Sequence, residues 1–307
     1  MQNIQKQQVF SLTFSGHETF PLRQTWLKKV VDIASDEGVI EKKFFSDTQS
    51  LAELGVGKNM LSAMRYWALA CGIITDYTPS QFRLTDLAKA IFCDNGFDPY
   101  SENPATVWLL HWLFAGKGQK STTAYVLFNK LNTNKFTKQD LENCLKDLIE
   151  LKEKKVANKT LENDIDTIIR NYSVNTGKII DNYEDFTDPI FKELNLIQTI
   201  DDKEFIFNRG SKESLSDSLF IYTLLDFWQS CTSQSNSLSL DRIIYEEGSP
   251  GRVYKLDENS VVNKLHYIDQ FTDNKIVWSD IAGIKQIFKK DANLDPIMDQ
   301  LLEKTYE

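Results

Sequence analysis

The amino-acid sequence predicts a mainly α fold with small β-hairpins, an α+β chain that opens on a winged helix-turn-helix module and continues in helical domains. Three observations carry this. Apolar residues recur at helical spacing through much of the 307 positions. A glycine turn, Gly55-Val56-Gly57, separates two helical stretches. Near residues 73–84 and again near 196–207, two β-type runs flank a polar turn.

Residues 17–35 read as an opening helix. Pro21 suits a first turn, where its missing N–H costs nothing, and Leu22, Trp26, Leu27, Val30, Val31 and Ala34 follow at helical spacing. Ser46 and Asp47 are N-cap candidates for a short helix over 48–54. The glycines then allow positive φ in the turn. A second helix runs over about 58–71 and stops at Gly72. Leu61, Met64, Ala68 and Cys71 fall on one side of it; Lys58, Ser62 and Arg65 fall opposite, flanked by Asn59 and Tyr66. Strands over 73–77 and 81–84 are joined by Thr78-Pro79-Ser80, and Thr85 caps a helix over 86–92. Short helix, glycine turn, amphipathic helix, hairpin, helix is the order of a winged helix-turn-helix module.

Further helices are expected over 104–115, 121–131, 137–152 and 160–171, with Ser121 and Thr137 as caps, and a short one over 186–194. The hairpin of 196–207 makes a second winged-helix-like unit an option. A helix over 215–230, a polar surface loop over 231–239 and short helices near 261–268 and 281–289 complete the chain. The expected domains are 1–100, 101–210 and 211–307, the last mainly helical. No internal repeat of fixed period stands out.

Composition narrows the function. Hydrophobic residues make up 41% and charged residues 26%, so the chain buries real cores. The longest apolar run, at 107–115, contains His111 and falls short of the roughly 20 residues that span a bilayer. The polar N-terminus lacks a signal-peptide core, so a cytoplasmic protein is expected. Four scattered cysteines suit reduced thiols, and three isolated histidines call for no metal site; no cofactor is expected. Net charge is −9, yet residues 21–90 sum to +1 and the remainder to −10. No acid occurs between Glu53 and Asp76.

Lys58, Asn59, Ser62, Arg65 and Tyr66 are therefore the candidate major-groove residues, because Lys and Arg neutralise phosphates or donate to guanine and Asn pairs with adenine. Ser80, Gln81 and Arg83 of the wing would reach the adjacent backbone. Winged helices also dock proteins or serve as plain structure, and the acidic total keeps those readings open. His17 and Glu18 could do acid–base work and Arg23 hold an anion; the plainer reading is a helix entry in which they meet free N–H groups and an acid. Ser249-Pro250-Gly251-Arg252 could hold an anion through backbone N–H groups, with Arg252 beside it. His111 reads as a core histidine. No P-loop, GxGxxG, HExxH or GxSxG occurs.

Ser15-Gly16-His17-Glu18-Thr19-Phe20-Pro21-Leu22-Arg23, Leu54-Gly55-Val56-Gly57-Lys58-Asn59-Met60, Arg65-Tyr66-Trp67 and Gly251-Arg252-Val253-Tyr254-Lys255-Leu256 together resemble an uncharacterised bacterial family, domain of unknown function four-thousand-and-seven. The resemblance implies a setting beside PAPS-reductase-like and DNA phosphorothioation or phage-defence genes. It transfers no catalytic residue. The expectation is a non-enzymatic accessory or regulatory protein that binds double-stranded DNA, with a homodimer as an option. The alternative is an adaptor that docks the modification or sulfur-transfer enzymes of such an operon to each other.

Overall fold

The computed structural model describes residues 11–118, 120–174, 189–201, 203–232, 235–290 and 293–307. The chain is mainly helical with small sheets, as the periodicity predicts. Its first third contains α1 (Trp26–Asp32), β1 (Val39–Glu41), α2 (Thr48–Leu54), α3 (Lys58–Ala70), β2 (Ile74–Thr78), β3 (Gln81–Leu84) and α4 (Asp86–Phe92). The caps do what their side chains allow. Asp47 accepts the Gln49 N–H at 3.1 Å, and Gly55 closes α2 in the left-handed region at φ 64°. Thr85 accepts the Ala88 N–H at 3.1 Å to open α4. The short strand β1 joins the hairpin, Val39 opposite Arg83, so the sheet order is β1-β3-β2.

The opening helix is shorter than expected. Residues 17–25 are not helical, and Glu18 and Thr19 sit at φ 48° and 62°. Long-range partners replace the helical ones. The Leu22 N–H donates to the Asn171 side chain at 3.2 Å, the Leu22 carbonyl accepts from Ile190 at 3.1 Å, and Arg170 donates to the Thr19 carbonyl.

The middle third runs α5 (Pro104–His111), a π-type turn over Trp112–Gly116, α6 (Thr122–Asn129), β4 (Lys135–Thr137), α7 (Lys138–Leu151), α8 (Asn158–Tyr172), β5 (Ser173–Val174), a 3-10 turn over Ile190–Leu194, β6 (Ile197–Thr199) and β7 (Glu204–Phe207). Residues 186–188 of the expected helix lie outside the described residues. Thr137 and Asp140 form a reciprocal capping box on α7. The last third has α9 (Asp217–Thr232), β8 (Ser237–Ser239), α10 (Leu240–Tyr245), α11 (Pro250–Val253), α12 (Glu258–Leu265), α13 (Ile268–Phe271), β9 (Ile276–Ile281), β10 (Ile284–Lys289) and α14 (Asp295–Tyr306). The helix expected near 281–289 is instead half of the β9–β10 hairpin. Ala282 and Gly283 turn it with φ 54° and 80°, the sign pattern of a primed hairpin turn without the usual Asn or Asp to announce it.

One topology recurs three times. Among the described residues a short strand precedes two α-helices in the first two units and four in the third, a hairpin follows, and the first strand pairs with the last. The sheet orders are β1-β3-β2, β4-β7-β6-β5 and β8-β10-β9. The sequence shows no period because the inserts between these elements differ in length. Between the units lies an apolar centre in which α5 and α6 are buried nearly all round. His111 sits there at 0% exposure, its Nδ1 accepting from the Tyr172 hydroxyl at 2.8 Å and its Nε2–H donating to the Val253 carbonyl at 3.0 Å. Burial lowers its pKa to about 3, so it stays neutral.

Gly251 marks the closest helix approach in the last unit. A Cβ there would lie 2.7 Å from the Ile244 Cα and 2.8 Å from the Ile243 carbonyl oxygen, both backbone atoms that cannot yield cheaply. Gly251→Ala is expected to destabilise the protein by about 1–3 kcal/mol, read as a lower denaturant midpoint with an unchanged m-value.

Candidate nucleic-acid interface

α3 is amphipathic because its apolar residues fall three and four apart. Leu61, Met64, Trp67 and Ala68 are buried against α1 and the sheet. Gly57, extended at φ −76°, is its N-cap. The opposite face shows Lys58 and Asn59 exposed, with Ser62 and Arg65 half-buried beside them. Among the described residues, neither Lys58 nor Arg65 has a carboxylate within ion-pair distance. The helices that hold the same place in the other two units differ. α8 exposes Glu162 and Asp166, the latter paired with Lys138 at 2.6 Å. α12 opens on Glu258, paired with Lys285 at 3.1 Å. Of the three, α3 alone carries no acid.

Tyr66 is half-buried like Ser62 and Arg65, but its ring is engaged by the opening segment. Its ring packs edge-on against His17 at 5.5 Å and Trp67 at 5.1 Å, and its hydroxyl hydrogen-bonds Ser121. Burial, and then the Asp164 carboxylate, push the phenol well above its ordinary range. Tyr66 thus forms a wall on which the segment of His17 packs. Gly16, at φ 100°, lies so close that a Cβ would stand 2.8 Å from the Tyr66 ring.

On the β2–β3 hairpin, the Gln81 amide donates to Glu41 at 2.6 Å, which occupies it locally. Ser80 is exposed. Arg83 lies 4.2 Å from the centroid of the Tyr77 ring. An irregularity between Asp76 and Thr78 shifts the register and brings Tyr77 to that side of the hairpin. Periodicity could not reveal Tyr77, since a bulge breaks the two-residue alternation. Lys42 holds Asp76 at 2.7 Å, and this hydrogen bond draws the carboxyl below its usual range.

The other candidates separate. His17 is buried and fully engaged: its Nδ1 accepts the Thr19 N–H at 3.0 Å, so its Nε2–H donates to Asp164 Oδ1 at 2.7 Å. Asp164 also accepts the Ser15 N–H at 2.6 Å. Neither ring nitrogen is left for a substrate. Glu18 is exposed, and Arg23 lies over the Trp26 ring at 5.5 Å. Of the backbone N–H groups expected to hold an anion near 248–252, those of Gly248, Ser249 and Arg252 are taken within the fold. Gly248 donates to the Asn129 side chain at 2.8 Å, Ser249 to the Glu246 carbonyl at 3.0 Å and Arg252 to the Ser249 carbonyl at 3.1 Å. Arg252 stands far from α3, its guanidinium on the Tyr245 carbonyl at 2.8 Å and on Asn132.

Residues 14–306 match the family described as protein of unknown function (DUF4007). The chain belongs to this family. The DUF4007 chain is also similar to two solved structures, each over 95% of its length and 88% of theirs. One, described as an SspB crystal structure, is 27% identical with a TM-score of 0.82. The other, described as a magnesium ion-bound SspB crystal structure, is 26% identical with a TM-score of 0.80. No match is found among curated proteins.

The DUF4007 chain also buries Lys255, in its C-terminal motif. At 1% exposure and φ 56°, its ammonium reaches the Phe128 carbonyl at 2.7 Å and the Phe207 ring at 4.0 Å. Burial pushes its pKa well below the ordinary lysine value. A group favoured neutral in the folded state withdraws stability as pH falls below its unfolded value. Lys255→Met is therefore expected to gain stability relative to the parent as pH is lowered from about 10. Melting curves across that range check it; a constant difference would contradict it.

Proposed function

We propose that this chain binds double-stranded DNA through its first unit, read as a winged helix-turn-helix, as an accessory or regulatory protein of a bacterial DNA-modification or phage-defence system. The observation that supports it is the exposed, acid-free face of α3. Lys58, Asn59, Ser62 and Arg65 would enter the major groove, and Ser80 and Arg83 of the wing would meet phosphates. The phosphorothioation-type setting rests on the family resemblance. With a net charge of −9, affinity is modest and falls steeply with salt, and a second copy or partner strengthens it.

The test is an electrophoretic shift on plain duplex, phosphorothioated duplex and the protein's own promoter, at low and at physiological salt. Absence of retention on all three at low salt defeats the reading. No catalytic role belongs to it. Because one similar structure is described as magnesium ion-bound, incubation with supercoiled plasmid and Mg²⁺ tests that part, and nicked or linear product would overturn it.

A second reading is favoured by the net charge of −10 outside residues 21–90. The chain would then be an adaptor whose acidic surface steers basic enzymes of the same operon together. Co-purification with the neighbouring gene products tests it: elution alone from a lysate containing all of them removes its support.

A further inference from the structure

Among the described residues, most sheet edges are blunted against further strand pairing. β1, β4 and β8 are three residues long and β5 two. β2 is broken by the irregularity between Asp76 and Thr78. β9 is the exception. It is a six-residue edge with unbroken register against β10, and it contains neither proline nor lysine. Ile281 and Ile284 close its turn at 73% and 60% exposure. They face each other across the turn, so the ladder bonds of β9 fall at 281, 279 and 277. The N–H and C=O of Trp278 and Asp280 therefore point away from β10, to the open side. Those of Ile276 do too, but the Thr272 hydroxyl accepts the Ile276 N–H at 3.2 Å.

We propose that β9 pairs edge to edge with β9 of a second copy of this chain, antiparallel, in a two-fold dimer. The register that uses both open residues of each copy sets Trp278 opposite Asp280 of the partner subunit. Ser279 then faces Ser279 of the partner subunit across the axis, and Val277 faces Ile281 of the partner subunit. The side chains match that register. The Trp278 indole N–H has no hydrogen-bond partner among the described residues. The Asp280 carboxylate has none among them either, because Lys285, its neighbour in the ladder, binds Glu258 at 3.1 Å instead. Pairing sets this free donor beside this free acceptor on each side of the axis. On the opposite face it covers exposed Ile281 with Val277. A second copy supplies the whole complement by symmetry, which is why the occupant is this chain and not an unrelated strand. The interface shares no residue with α3 and does not depend on the reading of that helix.

An edge pairing of this length buries less than about 1,000 Å², so association is weak, with a dissociation constant of about 10–100 µM. Sedimentation velocity of the full chain from about 5 to about 500 µM should show monomer giving way to dimer. Ser279→Cys tests the register. Facing residues of a non-hydrogen-bonded pair stand about 4.5 Å apart at Cα, within disulfide reach. Mild oxidation of Ser279→Cys should therefore yield a covalent dimer above the level given by the parent with its native cysteines. Gln286→Cys, one strand in from the edge, should not exceed that level. Asp280→Pro removes an outward N–H without touching the β9–β10 ladder and should raise the dissociation constant by about tenfold or more. If the melting midpoint of that variant falls, Ile281→Lys, at an exposed position, takes its place with the same loss expected. A monomer throughout the range overturns the proposal. So does crosslinking of Ser279→Cys no better than Gln286→Cys, or a dimer undiminished in the folded edge variant.

Discussion

Reversing both cations of α3, Lys58→Glu with Arg65→Glu, is expected to abolish retention on duplex DNA in a low-salt shift assay. The folded chain should survive the change. Lys58 is exposed, Arg65 is half-buried, and neither has an ion-pair partner among the described residues to lose. Each phosphate contact contributes about 0.9 to the slope of log affinity against log salt. Replacing two attractions by two repulsions therefore weakens binding by about a hundredfold or more at low ionic strength. The single neutral variants, Lys58→Gln and Arg65→Gln, should each reduce the slope by about one. The far-ultraviolet spectrum and the melting midpoint of the double variant provide the control. Unchanged retention by a folded double variant would remove α3 from the interface and leave the adaptor reading, whose sensitive residues are acids of the C-terminal two-thirds.

The second large effect is on stability. Asp164→Ala strips a buried acceptor from two donors at once, the His17 Nε2–H and the Ser15 N–H, and leaves both without a partner beneath the opening segment. Leaving a buried donor without its acceptor costs about 1–3 kcal/mol. The denaturant midpoint should fall accordingly with little change in m-value. Asp164→Asn keeps an acceptor oxygen and should lose less. Glu18→Ala, at an exposed position in the same motif, should stay within about 0.5 kcal/mol of the parent. A loss below about 1 kcal/mol in Asp164→Ala would mean that the pair does not anchor residues 15–23.

The opening segment also ties together motifs that lie far apart in the chain. His17 packs on Tyr66, and the Trp67 Nε1–H donates to the Phe20 carbonyl at 3.0 Å. The opening motif clamps the inner side of α3 onto α8. Its histidine, read alone, looks like chemistry. Its partners make it a fastening for the helix whose other face is free.

Local physics was legible in the sequence wherever it acts over a few residues. The helix over 48–54, the cap at Thr85, the capping threonine at 137 and the segregation of α3 into apolar and cationic sides all follow from side-chain type at fixed spacing. The Lys58-Ser62-Arg65 face was legible for the same reason. The packing of the Tyr66 ring on His17 and Gly16 was not, because the partner segment lies fifty residues away in the chain. The β9–β10 hairpin was not either. Its residues suit a helix or a strand equally, and pairing with β8 settles the matter by supplying ladder hydrogen bonds that no local signal contains. The same holds for the recurrence of strand, helices and hairpin in the three sheets. Short-range propensity determined what most segments become. Only the tertiary structure decided which of them meet, because those contacts depend on burial and long-range hydrogen bonds rather than on neighbours in sequence.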